Sequence, residues 1–183
     1  MRFVAERRCL VDLVVSAARV LVGVVFLVAA VGKARDVKGF AASVRELPGV
    51  PRVLGGLGGL AAPGVIVAEA AVAALLAAPM TIVWGFALAV ILDTSFLVVI
   101  LKVLRSGTSA SCNCFGTTPR EFGMRHVVRD LLLGAVALIG LAGAAGNQGR
   151  DGVSVPAWVL CALVGAVGAL VLVLFDEIAD LYA

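Results

Sequence analysis

Residues 80–103 read MTIVWGFALAVILDTSFLVVILKV, an apolar run with one charge, Asp93, in its interior and a second, Lys102, at its end. A bilayer hydrocarbon core of about 30 Å is crossed by roughly 20 apolar residues in helical form. Inside lipid each backbone N–H and C=O must find its partner within the segment, so a run of this kind is read as a membrane-spanning helix. Immediately before it lies a second apolar stretch, Leu60 to Pro79. The two abut so closely that they form a tight helical hairpin, with Pro79 at the turn because proline ends the preceding helix.

Moving outward, a span from Val11 to Gly32 is preceded by Arg7 and Arg8 and followed by Lys33 and Arg35. A cleaved signal peptide is the competing reading, but the run is long, Arg19 interrupts it and no A-x-A site follows, so it is taken as a retained span. On the other side, spans are expected from Pro119 to Ala145 and from Val155 to Phe175, before the acidic residues Asp176, Glu177 and Asp180. The fold class is therefore all-α, an integral membrane helical bundle. No internal repeat or low-complexity linker divides residues 1–183, which read as a single domain.

Composition agrees with that class. Hydrophobic residues make up 62% before the 21 glycines are added, against about 45–50% with glycine included in soluble domains. Charged residues are 15%, below the usual ~25%, and they collect at the ends of apolar runs. A net charge of +3, with basic residues flanking spans and no interleaved aromatics, excludes a nucleic-acid groove. The lipid bilayer is the first partner.

Between the first two spans, Val37, Phe40, Val44 and Leu47 recur at helical spacing, with Asp36 placed to cap the start and Pro48–Gly49 to end it. This is either a short helix lying in the interface or a plain connecting helix.

Two of the four cysteines lie close together, Cys112 and Cys114 in Ser111-Cys112-Asn113-Cys114-Phe115-Gly116. Thr118, Pro119 and Glu121 form a T-x-x-E pattern with proline at the first helical position, so the fourth span is expected to begin there. A helix N-terminus with Arg120, Arg125 and His126 nearby favours thiolate, the form that attacks disulfides. A disulfide across one residue closes a tight ring, and strained exposed disulfides are the labile, exchanging kind. A metal site needs further ligands, whereas the only histidine is His126 and the other cysteines, Cys9 and Cys161, are distant in sequence; no metal is expected. The bland alternative is a pair that fills space at the membrane surface. Cys161, inside the fifth span, reads as a small packing residue.

Arg19, Glu69, Asp93, Arg129 and Asp130 fall within expected spans, where ionisable groups must pair, snorkel or line a cavity. Two arginines with three carboxylates suggest an interior ion-pair network that holds a polar head group or relays protons to a redox centre; the alternative is a structural clamp between helices. Hydroxyls such as that of Thr94 are an alternative partner for Asp93.

Taken together, Arg19, Gly23, Phe26, Ala30 and Lys33 in the first span, then Phe40 and Pro48, Pro63 and Glu69, Phe96, the C-x-C-F-G element at Cys112 to Gly116, and Arg129-Asp130 resemble the MauE and DoxX-like family of small bacterial membrane proteins, in its methylamine utilisation MauE branch. The likeness covers roughly residues 15–145. It implies a four-helix core, with the fifth C-terminal span as an addition. It further implies a redox-associated protein of the bacterial inner membrane that helps an exported or periplasmic partner acquire its disulfides. Cys112 and Cys114 would exchange, with Arg129, Asp130 and Glu69 shaping the site beneath them. By analogy with quinone-linked disulfide carriers, a membrane quinone would accept the electrons.

Topology is contested by the charges. With five spans, the cysteine loop shares its side with nine basic residues, among them Lys33, Arg35, Arg105 and Arg120, against four on the other side, Arg2, Arg7, Arg8 and Arg150. The positive-inside rule puts that loop in the cytoplasm, whereas disulfide chemistry and the resemblance put it outside. The extracytoplasmic placement is the expectation adopted. Two other functions compete with thiol–disulfide exchange: a non-catalytic assembly factor or subunit whose cysteine pair is structural, and a small transporter, which lacks the paired inverted halves of many carriers.

Overall fold

The computed structural model describes residues 2–46, 58–106, 111–112, 120–121, 124–147 and 154–174. Among them the helices are α1 (Arg2–Arg35), α2 (Val37–Glu46), α3 (Gly58–Ala77), α4 (Ile82–Ser106), α5 (Met124–Asn147) and α6 (Val155–Val173). A single 3-10 turn, Pro79–Thr81, joins α3 to α4, and two short strands, β1 (Ser111–Cys112) and β2 (Arg120–Glu121), pair antiparallel between α4 and α5. The protein is an all-α membrane bundle, and this two-residue ladder is a local feature of one connection.

Four segments, Cys9–Arg35, Pro79–Arg105, Met124–Gly146 and Val155–Val173, are long and apolar enough to cross a membrane. A further apolar helix, Ala61–Ala77, lies within α3, which at about 1.5 Å per residue is ~30 Å long. Large apolar side chains such as Leu27, Val67, Ile91, Leu138, Leu163 and Val167 face outward. In water that surface would be untenable; against acyl chains it is the expected exterior.

The interior is a stripe on each helix. On α1 it is Val22, Val25, Phe26, Ala29, Ala30 and Lys33; on α5 it is Asp130, Leu133, Ala137, Gly140 and Ala144. Both follow the three-and-four spacing of one helix face. α1 packs against α3, α5 and α6, while α3 meets α4 and α4 meets α5. The result is a ring of α1, α3, α4 and α5, with α6 laid on the outer side of α1. Close approach depends on absent side chains. A Cβ on Gly165 would stand 2.6 Å from the Ala17 carbonyl oxygen and 2.9 Å from Val20 Cβ, and one on Gly140 would run into the Phe86 ring. In lipid, packing of this kind replaces the hydrophobic effect as the force between helices.

The ends of the helices follow local chemistry. Asp36 caps α2 as expected: its Oδ1 accepts a hydrogen bond from Gly39 N at 2.9 Å. α2 packs on α3, with Phe40 buried, while Pro48 and Gly49 lie outside the described residues. At the hairpin Pro79 opens the 3-10 turn, and Thr81 Oγ1 donates to the Leu75 carbonyl at 2.7 Å. Trp84, one turn further on, is exposed, as aromatic side chains at membrane borders are.

The start of α5 departs from expectation. The T-x-x-E pattern predicts a helix beginning at Pro119, but Arg120–Glu121 is a strand and the helix opens at Met124. The reason is pairing: Ser111 stands opposite Glu121 and Cys112 opposite Arg120, so the backbone there is extended and bonded across the ladder instead of along a helix. Thr118 and Pro119 themselves lie outside the described residues.

Candidate functional site

Because α1 and α3 run antiparallel, the last buried position of α1 falls beside the middle of α3. There Lys33 Nζ donates to Glu69 Oε1 at 2.6 Å, with both side chains all but sealed from the exterior, at 3% and 1% exposure. Two rings frame the ammonium: its Nζ lies 5.6 Å from the centre of Phe40 on α2 and 5.4 Å from that of Phe96 on α4. Cation–π attraction of this kind strengthens when water is excluded. Glu69 uses one oxygen only. Its Oε2 is buried and has no hydrogen-bond partner among the described residues.

A second cluster lies alongside. Arg129 and Asp130, about one and a half turns into α5, are both buried, and Arg129 Nη2 is 3.3 Å from Asp130 Oδ1. Asp93, buried on α4, lies over α5 at Gly134, where a Cβ would stand 2.5 Å from its Oδ2. Arg129 and Asp130 are within electrostatic reach of both Lys33 and Asp93, so four of the five sequence-derived charges gather in one half of the bundle around Lys33. Thr94 is exposed while Asp93 is buried.

Arg19 stands apart. It lies about 21 Å from Lys33 along α1, at about 1.5 Å per residue, and its guanidinium donates to the carbonyls at the C-terminus of α3: Nε to Leu76 and Nη2 to Ala77, the latter at 2.7 Å. Those are among the four carbonyls that a helix end leaves without an internal partner.

Lys33 reads in the sequence as a span end and as part of the family likeness, outside the set of intramembrane charges. The signal that finds it is the stripe at 22, 25, 26, 29, 30 and 33, with small residues at 29 and 30. That stripe is faint because α1's outer face is equally apolar.

The backbone of Cys112 lies on the same side of the bundle as α2. Cys112 is held in β1 across from Arg120, and β1 packs on α2, the helix that carries Phe40. The side chain of Cys112 and all of Cys114 lie outside the described residues. Because α5 begins at Met124, the helix end expected just after Cys114 lies further along the chain. Cys9 is an exposed free thiol and Cys161 a buried one.

The molecule thus defines a class: a multi-pass membrane helical bundle with a buried ionic cluster among its helices. The family model described as methylamine utilisation protein MauE matches residues 11–143, and the chain belongs to that family. The match ends before α6 begins at Val155. Neither the curated proteins nor the solved structures yield a match.

Proposed function

We propose that this protein is a thiol–disulfide redox protein of the bacterial inner membrane that helps an exported partner form its disulfides. Cys112 and Cys114 are the exchanging pair. The observation that carries the reading is the place of the first cysteine of the C-x-C element: Cys112 lies in a strand that pairs with Arg120–Glu121 and packs on α2, the helix whose Phe40 ring lies beside the buried Lys33–Glu69 pair. Membership of the MauE family supports a membrane protein of the methylamine utilisation type, and the redox role adds to that.

The exchange balances without other reactants. A thiolate of the partner dithiol attacks the oxidised pair, displacing one cysteine as thiolate and forming a mixed disulfide with the other. Resolution leaves the partner's disulfide and the two thiols of Cys112 and Cys114. Returning the pair to the disulfide releases two electrons and two protons, which a lipid-soluble quinone takes up to become quinol. The connection bearing the cysteines faces the extracytoplasmic side, where partners are oxidised.

Alkylation trapping in intact cells tests this. The expected result is a largely oxidised pair that, once reduced, is labelled by a membrane-impermeant maleimide from outside, together with loss of partner disulfides in Cys112→Ser and Cys114→Ser. Labelling solely from the cytoplasmic side, or full partner maturation in the double serine variant, overturns it and leaves a non-catalytic assembly factor as the reading.

A further inference from the structure

We infer that Asp93 and Asp130, meeting at the α4–α5 seam with Arg129 as a cation common to both, are a proton-exchanging carboxyl pair inside the bundle, and that Asp93 is the member that takes up and gives up the proton. The site is independent of the cysteines and of the thiol reading. Asp93 is 5% exposed, in the interior of α4. Its Oδ2 lies against α5 at Gly134, where a Cβ would stand 2.5 Å away, so the missing side chain is what lets the carboxyl reach the α5 surface. Asp130, also 5% exposed, is one turn before Gly134 on the same face of α5. Residues at that spacing have Cβ atoms about 5–6 Å apart, so two buried carboxyls lie within one helical turn of each other.

Charge decides what such a pair holds. Lys33 of α1 and Glu69 of α3 are engaged with each other at 2.6 Å, and Arg129 reaches Asp130 Oδ1 through Nε at 3.4 Å and Nη2 at 3.3 Å. Asp93 is the third carboxyl of the cluster, and among the described residues it makes no hydrogen bond and no ion pair. The charged groups acting on it are Asp130 and Arg129 of α5. An ionised Asp93 therefore adds an unmatched charge to a sealed, apolar interior, which is costly. A proton removes that cost and needs no cavity. Two carboxyls this close in such a site do not both ionise readily, and one proton on the pair is the stable arrangement. Release is provided for as well. The Arg129–Asp130 contacts are longer than the about 2.7–2.9 Å of a tight charged pair, so the guanidinium is not closed onto Asp130 and, with its five donors, turns to Asp93 when that carboxyl ionises. The step is a proton transfer alone: the O–H bond of Asp93 breaks, the proton leaves to water, no electrons move, and Arg129 offsets the new charge.

Infrared titration of the full chain in lipid nanodiscs is the test. The expected result is a carboxylic-acid C=O band at neutral pH that moves down in heavy water, fades reversibly as pH rises and is lost in Asp93→Asn. Asparagine has the size of a protonated aspartic acid, so this variant is expected to fold. Should it not, heavy-carbon labelling of the aspartate carboxyls in the wild type should shift the band, and the same labelling of glutamate should not. Asp130→Asn removes the like charge and gives Arg129 to Asp93, so the band should fade at lower pH, with proton affinity reduced about ten-fold or more. A wild type with no titrating band, a band that follows the glutamate label, or an unchanged midpoint in Asp130→Asn overturns the inference. So does a band that sodium abolishes at fixed pH, the mark of a metal cation in the proton's place, or one that neither titrates nor responds to heavy water, the mark of a locked structural proton.

Discussion

Arg19 and Lys33 occupy the same helix, both among buried neighbours, and the fold treats them oppositely. Arg19 donates to backbone carbonyls at the end of α3, completing hydrogen bonds that the helix geometry leaves open. Lys33 is matched to another side chain and leaves one oxygen of that partner without a donor among the described residues. A charge that finishes a helix has reached its purpose in the folded chain. A charge pair with a spare oxygen is incomplete until something else arrives.

The largest effect that would break this comparison is expected at Lys33. Lys33→Met leaves Glu69 buried without its cation, a loss of about 3–5 kcal/mol, seen as a steep drop in detergent thermal stability. Adding Glu69→Leu should recover most of it. If the single variant is as stable as wild type, the pair is not the tight buried contact described here.

Next comes Gly165→Ala, on the seam that places α6 against α1 close to Arg19. The new methyl meets backbone, which cannot rotate away, so a cost of about 1–3 kcal/mol is expected. Hydrogen exchange should show α6 loosened while α3 and α4 keep their protection. Uniform loss over all helices would mean α6 is integral to the ring.

Arg19→Met should cost about 1–2 kcal/mol, the scale of a hydrogen bond made by a charged donor. The effect should be confined to the α3–α4 hairpin, read from faster exchange at its amides. A change in thiol chemistry on this substitution would erase the contrast with Lys33. Smallest is Asp36→Ala, the loss of the α2 cap, expected at about 1 kcal/mol and visible as fraying of the first turn of α2 alone.

How much of this was legible in the sequence differs by element. The hairpin at Pro79, the cap at Asp36 and the last span, expected over 155–175 and found as α6 over Val155–Val173, follow from local signals that nothing in the packing contradicts. The start of α5 departs from the sequence reading because a capping pattern is a local preference, whereas Arg120 and Glu121 are paired with residues eight and ten positions earlier. Glu69, Asp93, Arg129 and Asp130 stand out in sequence because a carboxylate or guanidinium in an apolar run is conspicuous. That Arg19 would turn to carbonyls and Lys33 would enter the cluster depended on which ends of antiparallel helices meet. Hydropathy does not encode that, since lipid-facing and core-facing positions are equally apolar.

The seat of α6 has a consequence for how the chain is made. Helices enter the bilayer in the order in which they are synthesised, and α6 leaves the ribosome well over a hundred residues after the α1 surface it covers. Until then that strip of α1, with the backbone at Ala17 laid bare by the absence of a facing side chain, is covered by lipid. The ring of α1, α3, α4 and α5, with Lys33 already against Glu69, has every contact it needs before its last helix is born. A nascent chain stalled after α5 should therefore hold the buried pair assembled, and the arrival of α6 is a lateral docking event that displaces acyl chains and not a step in building the site.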